Sequence, residues 1–195
     1  MSNTKSKAKS TAVLGMFSAI IVVLQLLSYV VKIGTFNLSL VLIPIILGAA
    51  LYGPKKGAIL GGVFGAVVVV SCFTGLDAGG NILVNASPIL TSVICMLKGI
   101  IAGLAAGYAA KLFKSQNLFL SVIAAAVVAP IVNTGIFSLC MILFFKDTLT
   151  AWAGGTGLVY YVIFSLIGIN FLIEFAINVI FAPAVLQVMK AVKRF

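Results

Sequence analysis

Apolar runs long enough to cross a bilayer follow one another along almost the whole chain, and they decide what it can fold into. Hydrophobic residues fill 63% of the 195 positions and charged residues only 8%, with a mean hydropathy of +1.28. A soluble domain of this length cannot hide so much apolar surface, so lipid must be part of its solvent. The net charge of +10 does not point to nucleic acid, because the basic residues sit in short clusters between the apolar runs.

Six spans are expected: Thr11–Val31, Asn37–Tyr52, Gly57–Phe73, Pro88–Phe113, Leu118–Phe145 and Leu158–Met189. The second is short for a hydrocarbon core of about 30 Å and is expected to tilt or to adjoin a re-entrant loop. Six crossings place Lys5, Lys7, Lys9, Lys55, Lys56, Lys111, Lys114, Lys190, Lys193 and Arg194 on one side. Only Lys32 and Lys146 fall on the other, so both termini are expected in the cytoplasm. The fold class is therefore all-α integral membrane, a compact bundle of six transmembrane helices. Residues 1–195 form a single membrane domain, with 1–10 as a basic cytoplasmic tail that does not resemble a cleavable signal.

Helices in lipid associate through small residues at four-residue spacing. Gly57, Gly61 and Gly65 make one such ladder, and Gly99, Gly103 and Gly107 make another, beside Ala102, Ala106 and Ala110. Both are expected to pack helices inside the bundle. Gly15 and Ala19 near the start of the first span could instead form a flat groove for a helix of another protein.

Polar groups at membrane depth are costly unless paired or solvated, and they read as a site by default. Here they are Gln25, Lys98, Asn133, Asn170, Glu174 and Asn178. Asn170, Glu174 and Asn178 stack on one helix face. Lys98 and Glu174 fall at similar depth, where a pair is expected, since an isolated charge would neutralise. Asn133 lies just past Pro130, whose missing N–H frees a carbonyl one turn earlier. The groups either cross-link the helices or face a cavity open to the outer side, and Gln25 is expected to be a satisfied interhelical hydrogen bond. The outer loops, 74–81 and 146–157, are long and Gly-rich and could cover a pocket mouth; Trp152 lies in the second. Asp77 and Asp147 are read as solvated connector residues.

Enzymatic classes are poorly served. The chain has no His, no carboxylate pair on one span, and no phosphate-binding glycine loop at Gly53–Gly57. Cys72, Cys95 and Cys140 have no metal or disulfide spacing and read as small core residues. No cofactor and no metal are expected. With one intramembrane acid, ion coupling has little support, and energy for uphill transport would come from a partner.

The small-residue motif Gly15/Ala19, Leu42-Ile43-Pro44 leading to Leu51-Tyr52-Gly53-Pro54-Lys55-Lys56-Gly57, the stretch Pro130–Gly135 and the Asn170–Asn178 ladder carry a resemblance. Across nearly its whole length the chain resembles the substrate-binding S component of an energy-coupling factor (ECF) vitamin transporter. The resemblance implies a subunit that binds a water-soluble vitamin on the outer face without ATP. It would then dock on a transmembrane T subunit carrying two ATPases and topple in the membrane to release its cargo. The docking motif is usually Ala-x-x-x-Ala; Gly15 departs from it but keeps a small surface. The implied binding residues are Lys98, Asn133, Asn170, Glu174 and Trp152, and the implied docking residues are Gly15 and Ala19. Riboflavin-type members carry acidic residues where this chain has Thr35 to Leu40, and thiamine-type sites use several aromatics where Trp152 is alone. Lys98 suits the carboxylate of pantothenate, folate or biotin, with Glu174 competing for the same charge, and a carboxylated vitamin such as pantothenate is the expected ligand. The alternatives are a self-sufficient secondary carrier and a structural membrane subunit without ligand.

Overall fold

Helix α1 (Ser2–Val30) runs into a small antiparallel hairpin, β1 (Lys32–Ile33) and β2 (Phe36–Asn37), with Lys32 opposite Asn37. The computed structural model describes residues 2–30, 32–33, 36–37, 40–115 and 117–193, and the side chains of 11–30, 40–115, 117–164, 168 and 171–191. After the hairpin come α2 (Leu42–Tyr52), α3 (Pro54–Thr74), α4 (Ala78–Ala86), α5 (Pro88–Phe113), α6 (Leu118–Phe144) and α7 (Lys146–Ala153). The chain ends in a continuous helical segment. Its parts are α8 (Leu158–Tyr160), a π-helical stretch (Tyr161–Ile169) and α9 (Asn170–Lys193).

Among the described residues, five segments are long and apolar enough to cross a membrane: Thr11–Val30, Pro54–Thr74, Pro88–Phe113, Leu118–Phe144 and Phe171–Ala191. Their outer faces carry large apolar side chains in the open, such as Val30 and Ile89 at 79% exposure, as lipid-facing residues would be.

The expected second span behaves differently. Its helix begins at Leu42 rather than Asn37, which lies in the hairpin, and its 11 residues reach only about 16 Å at 1.5 Å per residue. Leu42, Ile45, Ile46 and Ala49 are fully buried, and α2 packs against α1, α3, α5, α6 and α9. A helix apolar all round is one surrounded by protein or by lipid, and composition alone does not separate the two. Gly53, at φ +89°, stops α2, and Pro54 at the first position of α3 starts the next helix at once. The Lys114 ammonium donates to the Ala50 carbonyl (3.3 Å), satisfying an acceptor in the last turn of α2.

The two glycine ladders meet. A Cβ on Gly61 would strike the Gly99 carbonyl, one on Gly57 the Gly103 carbonyl, and one on Gly65 the Cys95 carbonyl. The α3 and α5 backbones therefore touch along their length, as close-packed membrane helices do. On the other flank of α5, the Ser121 hydroxyl of α6 donates to the Ala110 carbonyl (2.8 Å).

The connections at 74–81 and 146–157 are not simple loops. Asp77 caps α4 by accepting from the Gly80 N–H (3.0 Å), and the Asn81 amide donates to the Cys72 carbonyl (2.9 Å), tying α4 to the end of α3. The second connection folds as α7 and ends at Gly154 and Gly155, at φ +55° and +90°. Reading Asp77 as a connector residue missed its capping role.

Candidate functional site

Thr91, Cys95 and Lys98 recur at helical spacing on α5, so one face of that helix presents a hydroxyl, a thiol and an ammonium in turn. This face lines a cavity of ≈ 180 Å³. Val68 and Cys72 of α3 form the adjoining wall. Asp77 and the α4 residues Gly79, Gly80 and Leu83 close one side, and Phe137 of α6 and Trp152 of α7 complete the lining. The Trp152 ring lies beside Gly79, within ordinary van der Waals reach of the position a methyl there would take (3.9 Å). Two helices that looked like loops thus form the cover of the cavity, and the one Trp sits on it.

Lys98 does not pair with Glu174. Its ammonium lies 4.9 Å from the Phe137 ring centre and 5.8 Å from that of Phe64, a cation–π setting that supports a positive charge without neutralising it. Among the described residues it makes no ion pair. Its charge is within electrostatic reach of Glu174, but the two form no ion pair. Glu174 accepts from the Thr134 hydroxyl (3.5 Å). The expected couple is therefore replaced by a cation among aromatics and a carboxylate on the α6 face.

The amides are distributed between these groups. Asn133 is buried on α6, one turn from Phe137, with its carbonyl oxygen unpartnered. Neither Asn133 nor Glu174 lines the described cavity. Asn178 is buried, and its amide turns back to the Glu174 backbone carbonyl (2.7 Å), leaving Oδ1 without a partner. The side chain of Asn170 lies outside the described residues. Gln25 bonds the Tyr29 hydroxyl of its own helix (2.7 Å), not another helix, and its Oε1 is unpartnered.

Sequence reasoning missed Thr91, Cys72 and Cys95 as cavity residues. The spacing of Thr91 and Cys95 from Lys98 was a usable signal for two of them. All three cysteines are free thiols. On α1, Gly15 and Ala19 are exposed on the outside of the bundle, and the space a Gly15 side chain would fill has no atom within 4 Å.

Two comparisons with known proteins bear on these features. Residues 9–186 match the family described as ECF transporter, substrate-specific component. The chain is also 27% identical over 196 residues, 95% of each protein, to the pantothenic acid transporter PanT of Lactococcus lactis subsp. cremoris (strain MG1363).

Proposed function

Since the chain belongs to the family of ECF transporter substrate-specific components, we propose that it captures pantothenate from outside the cell and delivers it to an ATP-driven ECF module. It is a multi-pass membrane transporter component and not an enzyme. In this reading it is a single membrane domain with six crossings in a prokaryotic plasma membrane, both termini cytoplasmic, and α2 completes the short second passage together with the preceding hairpin. Its partners are a transmembrane T subunit and two ATPase subunits.

The observation that carries the choice of ligand is Lys98, a cation that makes no ion pair among the described residues, on the wall of a mostly apolar cavity. Such a group is best satisfied by a ligand carboxylate, because a charge-assisted hydrogen bond in a dry site is stronger than its counterpart in water. Apolar and aromatic lining with few polar anchors is the ordinary construction of a small-molecule pocket. The similarity to a pantothenic acid transporter supports the same choice. Trp152 covers the bound vitamin. Asn133 and Glu174 form a polar layer outside the cavity lining, and Asn170 is kept as a binding residue on the family resemblance alone. Gly15 and Ala19 give the flat surface on which the T subunit docks.

Thermal unfolding of the purified protein in detergent tests this. Pantothenate at 100 times its dissociation constant raises stability by about 2.7 kcal/mol. No stabilisation by pantothenate, with stabilisation by another vitamin, would reassign the ligand. No stabilisation by any water-soluble vitamin would remove the binding role. Reconstituted alone in liposomes, the protein is expected to give no uptake driven by an ion gradient. Gly15→Leu is expected to abolish uptake with the full ECF module while leaving vitamin binding within about twofold; equal loss of both would place Gly15 in bundle packing.

A further inference from the structure

Hydroxyls on these helices have a habit. Ser71, Thr74, Ser92 and Thr150 each turn back and donate to a carbonyl one turn earlier, at 2.8 to 2.9 Å. That is the usual way a helical Ser or Thr satisfies itself in an apolar setting. Buried Ser138 also lacks a partner but does not line the cavity; Thr91 is the case that does. It is 2% exposed, its Oγ1 has no hydrogen-bond partner, and it lines the cavity. A buried hydroxyl without a partner costs about 1–3 kcal/mol, so a group that supplies the missing bond is favoured.

Asp77 lines the same cavity. Its Oδ1 is engaged by the Gly80 N–H, whereas Oδ2 makes no hydrogen bond among the described residues. The cavity thus has one end with free acceptors, at Asp77 and Thr91, and another with a free cation. Thr91 and Lys98 share a face of α5 seven residues apart, which separates them by about 10 Å along the axis at 1.5 Å per residue.

We infer that Thr91 and Asp77 form a second recognition end of this cavity, selecting a ligand that carries a hydroxyl or amide donor at the end opposite its carboxylate. The inference rests on the ligand reading above and adds to it. Lys98 draws the carboxylate, and the Asp77 charge repels it, so the ligand can enter in only one direction. A short chain bearing a carboxylate and nothing polar at its far end would leave Thr91 and Asp77 unsatisfied and be rejected. So would a dicarboxylate, whose second charge would face Asp77.

The experiment measures affinities of pantothenate and of its analogue with the terminal hydroxyl replaced by hydrogen, for the intact protein in detergent. The unaltered protein is expected to prefer pantothenate by about tenfold or more, since a site built to bond a hydroxyl discriminates against its loss. Thr91→Val keeps the shape and removes the hydroxyl. It should weaken pantothenate about tenfold, leave the analogue within about threefold, and erase the preference. Thr91→Ser should retain the preference and shows that the position tolerates change. Lys98→Met should weaken both compounds equally. Equal weakening of both by Thr91→Val, or an unchanged preference, would overturn the second recognition end while leaving Lys98 and pantothenate in place. If Thr91→Val does not fold, Asp77→Asn, which keeps a capping oxygen, is read in its place and must narrow the preference. Binding of neither compound by the unaltered protein would overturn the pantothenate reading, and this inference with it.

Discussion

The α3–α5 pair and the α4–α7 cover lie side by side, yet they are held together by opposite means. Along α3 and α5 the side chains have been removed, and carbonyls sit where methyl groups would be. The cover is short helices held by side chains: an aspartate cap, an amide on the Cys72 carbonyl, and the buried Leu83 and Leu149. Close backbone packing leaves α3 and α5 no room to adjust, whereas side-chain contacts under short helices can re-pack. A binding protein needs both, a fixed wall to hold its anchor groups and a cover that lets the ligand in.

The contrast makes quantitative demands. The largest effect is expected at Gly61, where Gly61→Ala puts a methyl into the Gly99 carbonyl. Loss of about 3 kcal/mol or failure to fold should appear in thermal unfolding. Gly62→Ala next to it meets only the Ile100 side chain, at 3.5 Å, and should change stability by less than about 1 kcal/mol. Similar outcomes at the two positions would mean that α3 and α5 are not close-packed as described. Lys98→Met should leave folding intact and weaken pantothenate by about 2–4 kcal/mol in a binding titration, the cost of losing one partner of a desolvated charge pair. Trp152→Ala acts on the cover and should speed dissociation about tenfold with little change in association, as measured by rapid mixing. Asp77→Ala should cost about 1 kcal/mol of stability through the lost cap. Were Trp152→Ala to slow dissociation, α7 would not be a cover.

Much of the fixed wall was legible in the sequence. Gly57, Gly61 and Gly65 and their counterparts on α5 announce a helix contact, because a four-residue glycine repeat has few other uses in lipid. The cover was not, because α4 and α7 are short and glycine-containing and their hold depends on partners distant in sequence. The α2 helix was legible but its burial among other helices was not, because hydropathy measures transfer out of water, and protein and lipid interiors score alike. At the site, Lys98 and Trp152 come together on one cavity. The Lys98–Glu174 pair failed for a physical reason. Equal depth brings two groups to the same plane but not to the same side of a helix, and the rings of Phe64 and Phe137 give the ammonium another environment.

The wide turns at Tyr161–Ile169 alter the angular bookkeeping of everything after them. An α-helix advances by roughly 100° per residue, while a turn bonded five residues ahead advances more slowly. A helical wheel drawn straight through from Leu158 therefore misassigns the faces of α9. Deleting one residue from this stretch without changing its winding would swing Glu174 and Asn178 together by somewhat less than about 100°. In related chains, an insertion or deletion here would redirect the polar ladder without altering a single one of its residues.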